Sequence, residues 1–283
     1  MAAPEAAGGG KPKLGIVAGG GDLPVKLVAA CRRQRRAYFV VGLRGAAVER
    51  PEDGIADAWA SVGEIGRVLG LLRDAGCAEV VMAGNVARPD FSSIRLDWKG
   101  VRVIPRIVAA ARRGDEALLR CLVTIFEEEG FRVTGADQVV DELLLPEGPL
   151  GAHGLPAALR GDLARGIEVV EAMGRVDVGQ GAVIVEGLPL AVEAAEGTDR
   201  MLARCAELRH GWTRREGLLV KLPKPQQERR VDLPTIGVRT VEGAAAAGLA
   251  GIAAAAGATL LIDRAAVIAQ ADALGLFVVG VPR

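Results

Sequence analysis

Histidine is almost absent from the 283-residue chain, which contains only His153 and His210. The four cysteines are scattered and include no C-x-x-C pair, so the sequence argues against both a structural zinc site and a disulfide framework. Unpaired cysteines of this kind fit a reducing cytoplasm. A divalent cation would have to be held by carboxylates and water, which favours magnesium over zinc.

Aromatic side chains and net charge are also scarce. Aromatic residues make up 3% of the chain, and 35 Lys and Arg balance 35 Asp and Glu to a formal net charge of zero. Nucleic-acid binding draws its affinity from excess positive charge and from stacking, so we expect no nucleic-acid partner. Half of the residues are hydrophobic, which is enough to build a buried core.

Two segments raise the question of targeting. Residues 1–12 are small and flexible, lack the basic start and apolar run of a secretory leader, and are predicted to form a disordered tail. The uncharged run 243–261 has the length of a membrane span, but it consists mostly of Ala and Gly, which insert weakly. We expect a buried helix there that ends at Gly257, followed by a strand.

The order of apolar runs predicts an α/β fold in two domains. Strand-like runs alternate with helical patterns in the first half, which indicates a Rossmann-like domain with a parallel sheet over 13–145. Three prolines and three glycines at 146–156 predict a linker. The rest, 157–283, is predicted to be a second α/β domain with a mixed sheet, and the ligand is expected in the cleft between the domains.

A run of three glycines follows the first predicted strand. Gly19, Gly20 and Gly21 could let backbone N–H groups approach a phosphate at the start of the next helix. The dinucleotide fingerprint is incomplete because its third glycine falls on Pro24. The alternative is a tight turn in which Asp22 caps the helix. We take Gly20, Gly21 and Asp22 as candidate ligand contacts.

A second candidate loop follows the strand at 79–83. Asn85 could bind a sugar or uracil edge, and Arg88 could bind a phosphate through two hydrogen bonds, with Val86 and Ala87 between them. The alternative is a surface turn. Asp115 follows two arginines before a predicted helix, where it is either the helix N-cap or part of a phosphate site.

The second half supplies the acidic and basic candidates. Glu186 and Asp199 end neighbouring segments and are expected to lie close enough to share a metal, although Asp199 also suits the start of a helix. Lys221 and Lys224 leave a strand and face a loop that carries Asp232. Such a loop suits an anionic substrate and a carboxylate that binds a metal or activates water. Gln180 and Thr235 border these motifs.

Two further motifs have simpler explanations. The basic stretch Arg32–Arg36 ends a predicted helix, where cations favour the helix dipole, and the alternative is a patch that contacts anionic lipid. Cys205 and His210 could suggest a thiol nucleophile, but no partner acid is apparent.

Several strings together resemble the LpxI family of UDP-2,3-diacylglucosamine pyrophosphatases, enzymes of lipid A synthesis. The resemblance covers about residues 13–281. The matching strings are KLGIVAGGGDLPV at 13–25, FVVGLRG at 39–45, AGNVARPDF at 83–91, VAAARRGDEALLR at 108–120, VGQGAVIVEGLPLAVEAAEGTD at 178–199, LPKPQQERRVDLPTIG at 222–237, and the segments AGLAGIAAAAG and LIDRAAVIAQADALGLFVVG near the end.

The resemblance implies a magnesium-dependent hydrolase that cleaves UDP-2,3-diacylglucosamine to UMP and 2,3-diacylglucosamine 1-phosphate, with water attacking the phosphorus on the sugar side. It implies two domains, peripheral contact with the cytoplasmic face of the inner membrane, and it suggests a homodimer. The residues singled out are these: catalytic Asp232, Lys221 and Asp199; metal-binding Asp232, Asp199 and Glu186; substrate-binding Gly20, Gly21, Asp22, Asn85, Val86, Ala87, Arg88, Asp115, Val133, Gln180, Gly187, Lys224 and Thr235.

Two other functions stay open at this point. A non-catalytic protein that binds a nucleotide sugar or a lipid could use the same cleft, and Asp232 would then be dispensable. An oxidoreductase with a dinucleotide cofactor is the weaker alternative, because the third glycine of the fingerprint is missing.

Overall fold

The chain forms two compact units. The computed structural model describes residues 11–44, 54–86, 97–140, 142–210 and 214–282. The first unit comprises Met1–Val140 and the second Asp141–Arg283. Residues 1–10 of the predicted tail lie outside the described residues.

The first unit contains a five-stranded parallel sheet. Its order is β3-β2-β1-β4-β5, which is the order of the first five strands in a doubly wound nucleotide-binding sheet. β1 and β4 are neighbours in the sheet although β2 and β3 lie between them in sequence, so the order reverses there. The strands are β1 (Leu14–Ala18), β2 (Tyr38–Arg44), β3 (Ala58–Ser61), β4 (Glu79–Ala83) and β5 (Arg132–Val133).

Helices accompany this sheet as the sequence pattern predicts. The apolar residues Ile65, Val68, Leu69 and Leu72 fall on one face of their helix and are all buried. The helix that starts at Trp98 is capped by the Asp97 carboxylate, which accepts a hydrogen bond from the Gly100 N–H. The helices are α1 (Leu23–Arg33), α2 (Ile65–Asp74), α3 (Trp98–Ala111), α4 (Asp115–Glu128) and α5 (Ala136–Val139).

The second unit contains a six-stranded mixed sheet and a two-stranded one. The larger sheet has the order β6-β13-β11-β9-β7-β8, in which β9, β11 and β13 are parallel while β6 and β7 run antiparallel to their central neighbours. β10 and β12 pair in the smaller sheet. The strands are β6 (Gly148–Leu150), β7 (Gly181–Val185), β8 (Leu188–Val192), β9 (Leu218–Lys221), β10 (Thr235–Ile236), β11 (Gly251–Ala255), β12 (Leu260–Leu261) and β13 (Phe277–Val281).

The predicted linker at 146–156 is wrong in its central part. Within it β6 pairs antiparallel with β13, with Pro149 opposite Val279, so these residues belong to the second sheet. Proline is tolerated there because β6 is an edge strand. The two units divide instead between residues 140 and 141.

The helices of the second unit cover both faces of its sheet. One apolar cluster packs α7, α8 and α9 against side chains such as Leu219 and Ile252. The alternate residues Leu218 and Ala253 face a second cluster, which includes Val170 of α6. The helices are α6 (Arg160–Arg175), α7 (Gly197–Leu208), α8 (Val238–Ala246) and α9 (Arg264–Leu274), with a 3-10 turn at Ala157–Leu159.

The alanine-rich run 243–261 does not form the predicted helix up to Gly257. α8 ends at Ala246, and β11 then runs through the middle of the sheet. Small side chains are required there, because a Cβ on Gly251 would lie 2.4 Å from the Phe277 ring. Among the residues that the structure describes, none of the helices is long and apolar enough to cross a membrane.

Candidate active site

The loops after β1 and β4 are joined by backbone hydrogen bonds. The Gly19 N–H donates to the Ala83 carbonyl at 2.8 Å and the Gly20 N–H to the Asn85 carbonyl at 2.9 Å, while the Asn85 N–H returns to the Gly20 carbonyl at 2.8 Å. A Cβ on Gly84 would lie 2.4 Å from that same carbonyl oxygen. The glycines therefore allow the two loops to approach each other.

This pairing changes the interpretation of the glycine run. The N–H groups of Gly19 and Gly20 are already used, so the prediction that all three glycines could offer N–H groups to an anion is wrong for these two. Gly21 has a left-handed φ of +86°, and its N–H has no acceptor among the described residues. Asp22 occupies the N-cap position of α1, but its side chain makes no capping bond.

The loop after β4 is described only in part. Asn85 and Val86 are exposed at the carboxyl end of the strand, and the Gly21 backbone lies near the Asn85 amide. Ala87 and Arg88, which were predicted to complete this site, lie outside the described residues.

Two other predicted contacts of the first unit have structural positions. Val133 lies in β5 and is 4% exposed, so its side chain belongs to the core. Asp115 is the first residue of α4, and Gly114 is the N-cap, so the prediction of an Asp115 cap is wrong. Asp115 instead places negative charge in the first helical turn, where the helix dipole favours it.

The basic stretch Arg32–Arg36 is partly buried. Arg36 is 8% exposed and forms an ion pair with Glu79, and the Arg32 guanidinium donates to the Tyr38 hydroxyl at 3.0 Å. Arg36 is therefore buried against β4 and is not available to a lipid surface.

In the second unit, polar side chains gather where β9 ends. Lys221 is its last residue and is only 3% exposed. The Lys221 ammonium donates to the Thr198 hydroxyl at 2.7 Å and to the Thr235 carbonyl at 3.2 Å. The Thr198 hydroxyl in turn donates to the Glu193 carboxylate at 3.1 Å.

A second hydrogen-bonded chain includes Asp232. The Gln227 amide donates to the Asp232 carboxylate at 2.5 Å and to the Gln180 side-chain oxygen at 3.0 Å. Lys224 forms an ion pair with Asp177 at 2.5 Å, and its backbone N–H donates to the Gln227 side chain at 2.7 Å. We call the two chains together the β9-edge cluster; it comprises Asp177, Gln180, Glu193, Thr198, Lys221, Lys224, Gln227, Asp232 and Thr235.

Strand register explains how the cluster forms. β7 runs antiparallel to β9, and Gly181 lies opposite Lys221, so Gln180 falls at the same edge. β8 returns from the hairpin with Val192 opposite Ala182, which brings the following residue, Glu193, to that edge as well.

The same register separates Glu186 and Gly187 from the cluster. They form the hairpin turn between β7 and β8, at the opposite end of these strands from Lys221. Their N–H groups donate to the buried Asp162 carboxylate at 3.1 and 2.7 Å. The prediction that Glu186 lies beside Asp199 is therefore wrong, because a hairpin sends its turn and its two ends to opposite edges of the sheet.

Asp199 adjoins the cluster without joining its hydrogen bonds. It follows Thr198 in the first turn of α7, its side chain is 57% exposed, and its carboxylate lies 3.6 Å from the Arg239 guanidinium. Such an exposed pair contributes little to stability.

The carboxylates proposed for a metal are not assembled into one cage. Over the described part of the chain, no group of three or more His, Cys, Asp or Glu residues could hold a metal ion. Magnesium, however, commonly takes one or two protein carboxylates and fills its other positions with phosphate oxygens and water. Asp232 supplies such a carboxylate, so the cluster fits a cation that binds together with a diphosphate.

Sequence reasoning missed four members of the cluster as site residues: Asp177, Glu193, Thr198 and Gln227. Thr198 lies in the first turn of α7, and its hydroxyl joins Lys221 to Glu193. Glu193 and Gln227 carry no local motif. The only available signal was position: Glu193 directly follows a strand, and Gln227 lies between Lys224 and Asp232 in the sequence.

Cys205 does not suit a nucleophile. It is completely buried in α7, and burial raises the pKa of its thiol. A thiol with a raised pKa is mostly protonated at neutral pH and therefore unreactive.

Comparison with known proteins gives a consistent family match. The model of the LpxI N-terminal domain matches residues 13–143, and the model of the LpxI C-terminal domain matches residues 146–279. UDP-2,3-diacylglucosamine pyrophosphatase LpxI of Caulobacter vibrioides is 50% identical over 273 residues, which cover 95% of this chain and 97% of that protein.

Proposed function

The chain belongs to the LpxI family, and from this we propose that it hydrolyses UDP-2,3-diacylglucosamine to UMP and 2,3-diacylglucosamine 1-phosphate. The observation that carries the proposal is the β9-edge cluster, in which a buried ammonium lies at the same strand end as Asp232. A diphosphate ester needs positive charge for its phosphate oxygens and a group that orients water, and the cluster supplies both kinds of residue.

Each residue has a separate part in the proposed reaction. The Lys221 ammonium binds a phosphate oxygen, and Lys224 and Gln180 belong to the second hydrogen-bonded chain, which contains Asp232. Asp232 either orients the attacking water or holds the cation. Water adds to the phosphorus on the sugar side, the bond from that phosphorus to the bridging oxygen breaks, and this oxygen leaves with UMP.

We propose magnesium as the cofactor, held by Asp232 and by oxygens of the diphosphate. When bound, the ion neutralises phosphate charge and makes phosphorus a better electrophile. The donor set supports magnesium, because the cluster contains carboxylate and amide oxygens and neither histidine nor cysteine.

The first experiment measures UMP release from UDP-2,3-diacylglucosamine. We expect release with magnesium, its loss in EDTA, and its return when excess magnesium is added. In water labelled with oxygen-18, the label should appear in 2,3-diacylglucosamine 1-phosphate and not in UMP. If the protein binds the lipid but releases no UMP with any divalent metal, it is a binding protein and the hydrolase proposal fails.

We also propose peripheral contact with the cytoplasmic face of the inner membrane, where an acylated substrate would reside. The supporting surface lies on α3, where Trp98 is 76% and Val101 53% exposed, and the Arg102 guanidinium lies 5.2 Å from the Trp98 ring centre. Exposed tryptophan beside a basic side chain is typical of a membrane interface.

The membrane proposal predicts the behaviour of a Trp98→Ala variant. This variant should co-sediment with anionic vesicles at least about threefold less than the wild type, since an interfacial Trp contributes buried area to such contact. Leu188→Ala is the matched control, because Leu188 is also 70% exposed but lies in the second unit on β8. Equal sedimentation of all three proteins would contradict the proposal that the α3 surface contacts the membrane.

We further propose a homodimer, and light scattering would determine its mass.

A further inference from the structure

Lys221 is a buried cation without a direct carboxylate partner. Among the described residues no carboxylate oxygen pairs with its ammonium, and its two acceptors are the neutral Thr198 hydroxyl and Thr235 carbonyl. An ammonium has three N–H donors, so one is left without an acceptor in the described residues. A buried charge is costly unless an opposite charge balances it. Any carboxylate that balances Lys221 must therefore lie beyond the groups that accept hydrogen bonds from its ammonium.

Glu193 has the complementary property. It is 7% exposed, one carboxylate oxygen accepts from Thr198, and the other is buried and unpartnered among the described residues. That second oxygen lies 2.5 Å from where a Cβ on Gly181 would be, so the glycine opposite Lys221 makes room for it. The Lys221 ammonium and the Glu193 carboxylate are thus joined through a single hydroxyl.

We infer that Thr198 and Glu193 are positioning residues for Lys221. The Thr198 hydroxyl accepts a hydrogen bond from the Lys221 ammonium and donates one to the Glu193 carboxylate, so the hydroxyl proton points towards Glu193. The negative charge of Glu193 balances the positive charge of Lys221. Thr198 and the Thr235 carbonyl fix two N–H donors, which leaves the third for a phosphate oxygen of the ligand. This inference rests on the proposed function, because it assigns that ligand to the β9-edge cluster.

The test compares side chains of similar shape. Thr198→Val removes the hydroxyl but keeps the volume, Thr198→Ser keeps the hydroxyl, and Glu193→Gln keeps an oxygen that can accept from Thr198 but removes the charge. Thr124→Val is the matched control, because the Thr124 hydroxyl donates to the Arg120 carbonyl within α4 of the first unit. The readouts are binding of inorganic pyrophosphate with magnesium by calorimetry, kcat and KM for UMP release, and the thermal unfolding midpoint.

We expect Thr198→Val and Glu193→Gln to weaken pyrophosphate binding and to lower kcat/KM by about tenfold to a hundredfold each, the range of one hydrogen bond to a charged group. For Thr198→Ser, the pyrophosphate affinity and kcat/KM should stay within about threefold of the wild-type values. For Thr124→Val, both quantities should equal those of the wild type. Because Thr198 acts through Lys221, adding Thr198→Val to Lys221→Met should cause little further loss.

Three results would overturn the inference. One is a folded Thr198→Val protein that binds pyrophosphate as the wild type does. Another is a double variant, Thr198→Val with Lys221→Met, in which the fold-loss of pyrophosphate binding equals the product of the losses in the two single variants. The third is a wild-type protein that does not bind pyrophosphate at all. If the wild type binds pyrophosphate but releases no UMP, the hydrolase proposal fails by itself, and the binding series still decides the role of Thr198 and Glu193.

Discussion

Replacing Asp232 with asparagine is expected to lower UMP release by about a hundredfold to ten-thousandfold, the range for losing an acid–base group. The carboxylate accepts from the Gln227 amide, and asparagine offers an oxygen of the same size to that donor. The substitution therefore removes negative charge and basicity while it preserves shape. It has this effect whether Asp232 orients water or holds magnesium, since a neutral amide does neither well.

The control for this prediction is Asp272→Asn. The Asp272 carboxylate also accepts a hydrogen bond, from the Ala152 N–H at 2.7 Å, but Asp272 lies in α9 shortly before the amino end of β13, away from the edge where β9 ends. Its activity should equal that of the wild type, and the two variants should unfold at similar temperatures. An Asp232→Asn protein with activity within about threefold of the wild type would show that Asp232 is dispensable.

Replacing Arg209 with methionine is expected to lower the free energy of unfolding of the second unit by about 3 kcal/mol, since a hydrogen bond from a charged group contributes about 1.5–3 kcal/mol and a buried carbonyl that loses its donor costs about 1–3 kcal/mol. Arg209 is 4% exposed, and its guanidinium donates to the carbonyls of Ala247, Gly248, Arg214 and Glu216 at 2.7–3.2 Å. Burial lowers the pKa of the Arg209 guanidinium.

Arg209 connects the ends of two helices to the start of a strand. It follows α7, it satisfies carbonyls just beyond the end of α8, and it binds the segment that leads into β9. The matched control is Arg165→Met, because Arg165 makes an exposed pair with Glu168 three residues away. In urea titrations, the free energy of unfolding of Arg165→Met should differ from that of the wild type by less than about 0.5 kcal/mol. Similar shifts for both variants would mean that the buried contacts add nothing.

The elements that sequence periodicity predicted correctly are those with a local signal. The helical pattern of α2 and the apolar runs of β1 and β4 depend on neighbouring residues, and β4 spans the predicted residues 79–83. Lys221, Lys224 and Asp232 do gather at one strand end, because a strand exit and the loop that follows it are local as well.

The predictions that failed depend on distant parts of the chain. Only the register of β7 against β9 decides that Glu193 reaches Lys221 and that Glu186 does not. The segment of β11 has the composition of a helix, but it is extended because it pairs with β9 on one side and β13 on the other, and the Phe277 ring leaves no room for a side chain at Gly251. Local propensity does not contain either kind of information.

The paired loops of the first unit change what their glycines signify. Gly19 and Gly84 are required because each loop packs against the backbone of the other, whether or not an anion is present. The glycine motif is thus a signature of architecture, and a related chain could lose every ligand contact and still retain it. The reverse also follows: residues 19–21 and 84–85 brace each other through their backbones, so a ligand that binds to these residues would lose little affinity to the conformational entropy of ordering them.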